Sequence, residues 1–153
     1  MNPEKIRLQL REFNAIYMEI GAIYSDLAKK GGLSDCAFWL MYFIREANGE
    51  FTQKEICGQW TMSKQTVNSA LKNLENSGYI ILTPSKSDKR SKYITLTEKG
   101  TKFAQKNIDI IFELEQLTLQ KMSDTERTVM IESNRKYQVL LRTETERFLK
   151  NNC

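Results

Sequence analysis

Along the first stretch of the chain, apolar residues fall at Ile6, Leu10, Phe13, Ile16, Tyr17, Ile20, Ile23, Tyr24 and Leu27. Steps of three and four place them on one stripe of a helix. Gly31-Gly32 ends that helix, and Ser34 supplies a capping hydroxyl for a second. The second helix carries Phe38, Met41, Tyr42 and Ile44 on its apolar face and stops at Asn48-Gly49.

Thr52-Gln53-Lys54-Glu55 reads as a capping box ahead of Ile56, opening a short third helix that ends near Trp60. Ser63 then caps a fourth, in which Val67, Ala70, Leu71 and Leu74 form the buried face and Gly78 follows the last turn. Two short helices about three residues apart make a helix-turn-helix.

Beyond Gly78 the period changes. Tyr79 to Thr83 and Lys92 to Leu96 are rich in β-branched and aromatic residues, with a polar, basic stretch from Pro84 to Ser91 between them. That pattern predicts a β-hairpin whose extended tip is a wing. Thr97 caps a long helix expected to run to about Lys121. Ser123-Asp124-Thr125-Glu126 is another capping box, opening a last helix through Val129, Met130, Tyr137, Leu140, Leu141 and Phe148. The fold class is therefore mainly α with a small β-hairpin wing: a winged helix-turn-helix lobe flanked by helices.

Composition narrows the chemistry. The chain has 153 residues, of which 41% are hydrophobic, enough for a core in one domain. It contains no histidine and three scattered cysteines, Cys36, Cys57 and Cys153. The commonest zinc ligand and the commonest general base are thus missing, and no metal or cofactor is expected. No apolar run approaches a membrane span, and Met1-Asn2-Pro3-Glu4-Lys5 is unlike a signal peptide. A soluble, cytoplasmic protein is expected.

The net charge is +4, unevenly spread. Residues 52–102 hold nine Lys/Arg against four Asp/Glu, while the remainder holds fourteen against fifteen. A basic middle between neutral flanks is the electrostatic footprint of a nucleic-acid-binding lobe, or else a solvated lysine surface. Within it, the outer face of the fourth helix carries Lys64, Gln65, Thr66, Asn68, Ser69 and Lys72, preceded by Ser63. Gln and Asn read adenine edges, Lys reaches guanine or phosphate, and Ser and Thr meet either. Taken alone, this is also what any polar helix face looks like. Lys86, Lys89 and Arg90 at a hairpin tip just downstream suit a minor-groove or phosphate contact, and helix and wing in that order are far more specific than either alone.

Three stretches resemble the MarR family. They are Ser63 to Val67 continuing through Leu74-Glu75-Asn76-Ser77-Gly78-Tyr79-Ile80, the wing Asp88-Lys89-Arg90, and Leu96-Thr97-Glu98-Lys99-Gly100. The resemblance covers almost the entire chain and departs from the family's pattern at Trp60, where a smaller aliphatic residue is usual. It implies one MarR-like domain, with residues 34–100 as the winged-helix lobe and 1–30 and 101–153 as helices that dimerise. It also implies that Arg90 enters a minor groove, oriented by Asp88. A small aromatic or anionic effector is implied as well, for which Tyr17, Tyr24, Trp39, Tyr42 and Arg45 are pocket candidates, although aromatics at helical spacing are more often plain core.

Cys36 falls in the first turn of the second helix, where the dipole can lower a thiol's pKa. Thiol-sensing members carry their cysteine in the first helix, and this chain has none there. The expected function is sequence-specific DNA binding by a homodimer that represses from a palindromic operator and is released by a ligand. The alternative is a winged-helix protein-interaction module without specific DNA binding. An enzyme is disfavoured, since no nucleophile–base pair, metal cluster or phosphate loop is present.

Overall fold

Helices begin and end at the residues that local chemistry marks for it, in a computed structural model that describes residues 2–47, 51–52, 63–84 and 92–151. Helix α1 (Pro3–Lys30) starts with Asn2 accepting from the Glu4 amide at 3.0 Å. It ends where Gly32 takes φ +71° and the Leu33 amide reaches back to Ala28 O at 3.0 Å. Helix α2 (Asp35–Glu46) is capped by Ser34, whose hydroxyl accepts from the Ala37 amide.

Strand β1 (Phe51–Thr52) follows, and then α3 (Lys64–Asn76), capped by Ser63. The expected third helix, with Cys57 and Trp60, lies outside the described residues, apart from Thr52. Strands β2 (Ile80–Pro84) and β3 (Lys92–Leu96) form the expected antiparallel hairpin, running from Ile80 opposite Leu96 to Pro84 opposite Lys92. The hairpin is joined by β1, giving the order β1-β3-β2. A strand of two residues, paired through Thr52 and Tyr93, is too short to leave an alternation in the sequence.

The long helix expected after Thr97 is interrupted. Helix α4 (Glu98–Asn107) gives way at Ile108 to α5 (Asp109–Gln120), with φ −110° and ψ −45° at the break. The Ile108 amide still reaches Ala104 O at 2.7 Å, and its side chain is fully buried. Periodicity cannot register a break one residue wide that keeps the apolar phase. Helix α6 (Asp124–Asn151) begins at the expected capping box, in which Ser123 and Glu126 exchange amide-to-side-chain bonds.

The core centres on α2, which packs against α1, α3, α4 and β3. Phe38, Leu40 and Met41 of α2, Val67 and Leu71 of α3, Ile94 of β3 and Ile108 are all fully buried. Such side chains contribute about 1.5–3 kcal/mol each relative to exposure. No helix among the described residues is long and apolar enough to cross a membrane.

Packing divides the chain into two compact units, Met1–Ile110 and Ile111–Cys153. The first helix is thus grouped with the winged-helix elements, because it packs on α2. The expected grouping, 34–100 against 1–30 plus 101–153, followed the role of each segment in a dimer, which the packing of one chain does not address.

Candidate nucleic-acid interface

Helix α3 is built to present one face. Val67, Ala70, Leu71 and Leu74 are buried, and their spacing anchors the helix through a single side. Lys64, Gln65, Thr66, Asn68, Ser69 and Lys72 are consequently all exposed, as the sequence predicts.

The start of α3 is organised by its own hydroxyls. Ser63 Oγ accepts from the Thr66 amide at 3.1 Å and lies 2.8 Å from Thr66 Oγ1. The first turn contains no acidic residue, so the positive end of the helix dipole is not offset by a carboxylate. Ser63 and Thr66 therefore spend part of their hydrogen-bonding capacity on the cap.

Two polar residues were missed at the far end. Asn73 and Asn76 are also exposed, and Asn76 lies eleven residues beyond Gln65, which returns it to the same side of a helix with 3.6 residues per turn. That periodicity was available in the sequence. Glu75 is exposed as well, and it is the one carboxylate in this helix. Gln65, Thr66, Ser69 and Asn73 line an open groove that also includes Ser34 and Cys36 from the beginning of α2.

The C-terminal end of α3 is locked to the hairpin. Gly78 takes φ +72°, the Gly78 amide donates to Glu75 O at 2.8 Å, and the Tyr79 amide donates to Leu74 O at 2.9 Å. This double bond pattern is a Schellman stop. Thr97 then ties β3 to the same place, its hydroxyl donating to Gly78 O at 2.6 Å. Lys99 caps the Ser77 carbonyl at 2.7 Å and sits over the Tyr79 ring. Helix α3, the hairpin and α4 thus meet at one joint.

The wing tip, with Lys86, Asp88, Lys89 and Arg90, lies outside the described residues. At the end of the paired strands nearest that tip, Lys92 is exposed.

The effector candidates are only partly brought together. Tyr24 and Trp39 have ring centroids 4.8 Å apart, and Trp39 and Tyr42 lie at 5.4 Å. Phe43 stacks on Trp39 at 6.0 Å. Tyr17 instead is 62% exposed and pairs with Phe13 at 5.4 Å.

Arg45 is engaged by a residue that sequence reasoning gave no reason to choose. Its Nε donates to Asp109 Oδ1 at 2.8 Å and its Nη2 to Oδ2 at 2.7 Å. That hydrogen-bonded fork holds the Asp109 carboxyl below its ordinary pKa, against the opposing effect of partial burial.

The surroundings of Cys36 oppose the effect of its place at a helix N-terminus. Although it lies in the first turn of α2, it is only 7% exposed, and burial pushes its pKa up. Its thiol faces Thr66 O at 3.9 Å. Burial thus disfavours the thiolate at this position. No group of three or more metal-ligating side chains occurs among the described residues.

Known proteins show the same architecture. The MarR family model matches residues 25–91, while no curated protein matches the chain. Among solved structures, AbsC, a MarR family transcriptional regulator from Streptomyces coelicolor, is 14% identical with TM-score 0.77, over 94% of this chain and 98% of its own. A MarR family regulator from Neisseria meningitidis is 24% identical with TM-score 0.74, over 95% and 99%. S. aureus MepR, solved in complex with DNA, is 25% identical with TM-score 0.67, over 86% and 96%. The MarR family model thus matches the segment at residues 25–91, and the described residues share the fold of MarR family transcription regulators.

Proposed function

We propose that this protein binds double-stranded DNA sequence-specifically as a homodimer, represses transcription by covering a palindromic operator, and is released by a small ligand. The observation that carries the reading is the exposed face of α3. It offers Lys64, Gln65, Asn68, Ser69, Lys72, Asn73 and Asn76 to solvent above a wholly apolar buried face. A protein-interaction surface would instead expose apolar anchors there. That S. aureus MepR forms a DNA complex on a similar fold supports the same reading.

Dimerisation is supported by apolar surface that one chain leaves uncovered. In α1, Ile16, Tyr17, Met18, Ile20 and Ile23 are between 47% and 77% exposed. In α6, Val129, Leu140, Leu141 and Phe148 are between 52% and 66% exposed. Surface of this kind along long helices is buried in symmetric dimers, which typically cover about 800 Å2 per partner. The aromatic cluster of Tyr24, Trp39 and Tyr42 supports a slot for an aromatic effector, and an anionic one would have to compete with Asp109 for Arg45.

Fluorescence anisotropy against genomic fragments, followed by footprinting, tests the proposal. The expected result is a protected region with dyad symmetry, half-site centres about 10 base pairs apart, and affinity that falls steeply with salt. Equal binding to random duplex at physiological salt, or a footprint without symmetry, refutes it.

A further inference from the structure

We infer that Arg45 and Asp109 are positioning residues for DNA binding: their ion pair holds open the helix break at Ile108 and so fixes the half-site spacing the dimer accepts. The inference rests on the DNA-binding reading above for its consequence, though not for its geometry.

The pair stands apart from the other ion pairs among the described residues. Those others, Lys29–Asp26, Lys102–Glu98, Arg127–Asp124 and Arg147–Glu144, each link neighbouring turns of one helix. Arg45 and Asp109 are 64 positions apart and meet through both arms of the guanidinium, at 2.8 and 2.7 Å. Their side chains are 25% and 32% exposed, so water and salt screen them less than a surface pair. A planar fork facing a carboxylate constrains direction as well as distance.

The position of the pair gives it a task. Arg45 occupies the last turn of α2, the helix against which α3 packs. Asp109 is the first residue after the break. From Thr101 to Gln120 the sequence contains neither glycine nor proline, and its apolar period continues through the break. Left to local propensity, this segment would propagate as one helix. The break must therefore be held by tertiary contacts, which include the burial of Ile108 and the fork on Asp109. Removing the fork takes away the directional polar contact, and the helix then samples the unbroken form.

In a two-fold dimer the separation of the reading helices is set by the rigid elements that join them, and an operator of fixed spacing selects one separation. A helix that samples both broken and unbroken forms presents a range of separations. Specificity for spacing is lost first, and peak affinity falls because only part of the population fits.

The test uses the whole 153-residue chain with Asp109→Asn, Arg45→Gln, Arg45→Lys and the charge-reversed pair Arg45→Asp with Asp109→Arg. Anisotropy is measured on the best natural operator and on versions with one base pair added or removed between half-sites. Amide hydrogen exchange is followed for peptides covering residues 104–114, without DNA. The expected outcome for the single variants is a loss of about 2- to 30-fold on the best operator, a flattened preference among spacings, and faster exchange around Ile108. The reversed pair should recover part of both. Arg45→Lys keeps the charge without the fork and stands in if the neutral variants fail to fold. It too should flatten the spacing preference.

Unchanged exchange, or equal weakening on all spacings with the preference intact, overturns the inference. Failure of the wild-type protein to bind any duplex would instead refute the DNA-binding reading, and the exchange measurement would still decide whether the pair holds the break.

Discussion

Replacing Gly100 by alanine is expected to destabilise the fold although it improves helix propensity. Gly100 lies in the first turn of α4, and its amide donates to Thr97 Oγ1 at 2.9 Å. A Cβ added there would stand 1.9 Å from Tyr79 O, 2.8 Å from Tyr79 C and 3.2 Å from Tyr79 Cα. These are backbone atoms, and Tyr79 O already accepts from the Thr97 amide at 3.0 Å. No rotamer change relieves the collision; α4 and the start of β2 must separate by roughly 1 Å to reach ordinary contact. Overpacking typically costs about 1–3 kcal/mol, and an encounter with fixed backbone falls at or above the upper end. Alanine in place of glycine within a helix returns about 1 kcal/mol. The net expectation is a loss of about 2 kcal/mol or more, which for a chain of this size lowers Tm by roughly 4–8 °C. Urea unfolding followed by far-UV circular dichroism measures it. Lys102→Ala, an exposed substitution in the same helix, should stay within about 0.5 kcal/mol and controls for propensity. Because the joint also fixes the end of α3, the proposed DNA-binding helix, Gly100→Ala should weaken DNA binding as well. A variant as stable as the parent, or more stable, would refute the reasoning, since propensity alone predicts a gain.

Lys72→Ala should weaken all duplexes alike and reduce the salt slope by about one, whereas Asn68→Ala should change which sequences bind, both read by anisotropy at several salt concentrations. Arg90→Ala should cost about 1–3 kcal/mol of operator affinity and leave Tm nearly unchanged; normal binding would show that the wing residue is idle. Cys36 should react with a thiol reagent more slowly in the native protein than after unfolding, because burial raises its pKa; equal rates would contradict its packing against Thr66. Asp109 has a folded-state pKa depressed below its ordinary 3.8 by the hydrogen bonds from Arg45. Its contribution to stability is therefore complete above the unfolded value and is lost as pH falls through the lower folded value. Acid titrations of wild type and Asp109→Asn should converge only below about pH 4; a difference that disappears near neutrality would assign the effect to another group.

Local chemistry determined much of this protein in advance. Ser34, Ser63, Thr97 and Ser123 each cap the helix they precede, and Gly32 and Gly78 each take the positive φ that ends one. These signals were legible because a cap or a stop is decided within a few residues of itself. The apolar face of α3 was legible for a similar reason: once Val67, Ala70, Leu71 and Leu74 are buried, helix geometry alone sends Lys64, Gln65 and Lys72 to solvent.

What the sequence left undecided depends on partners distant along the chain. Strand β1 exists through its pairing with β3, and two residues carry no period of their own. The break at Ile108 runs against local propensity, so only the fold could reveal it. Arg45 stands in the sequence as a pocket candidate with no visible partner, because Asp109 lies on another helix. Cys36 was placed correctly in the first turn of α2, but the burial that raises its pKa comes from residues distant in the chain. Caps, stops and faces are short-range and can be read from neighbouring residues; ion pairs, breaks and desolvation are fixed by which surfaces meet, and the tertiary structure alone decides that.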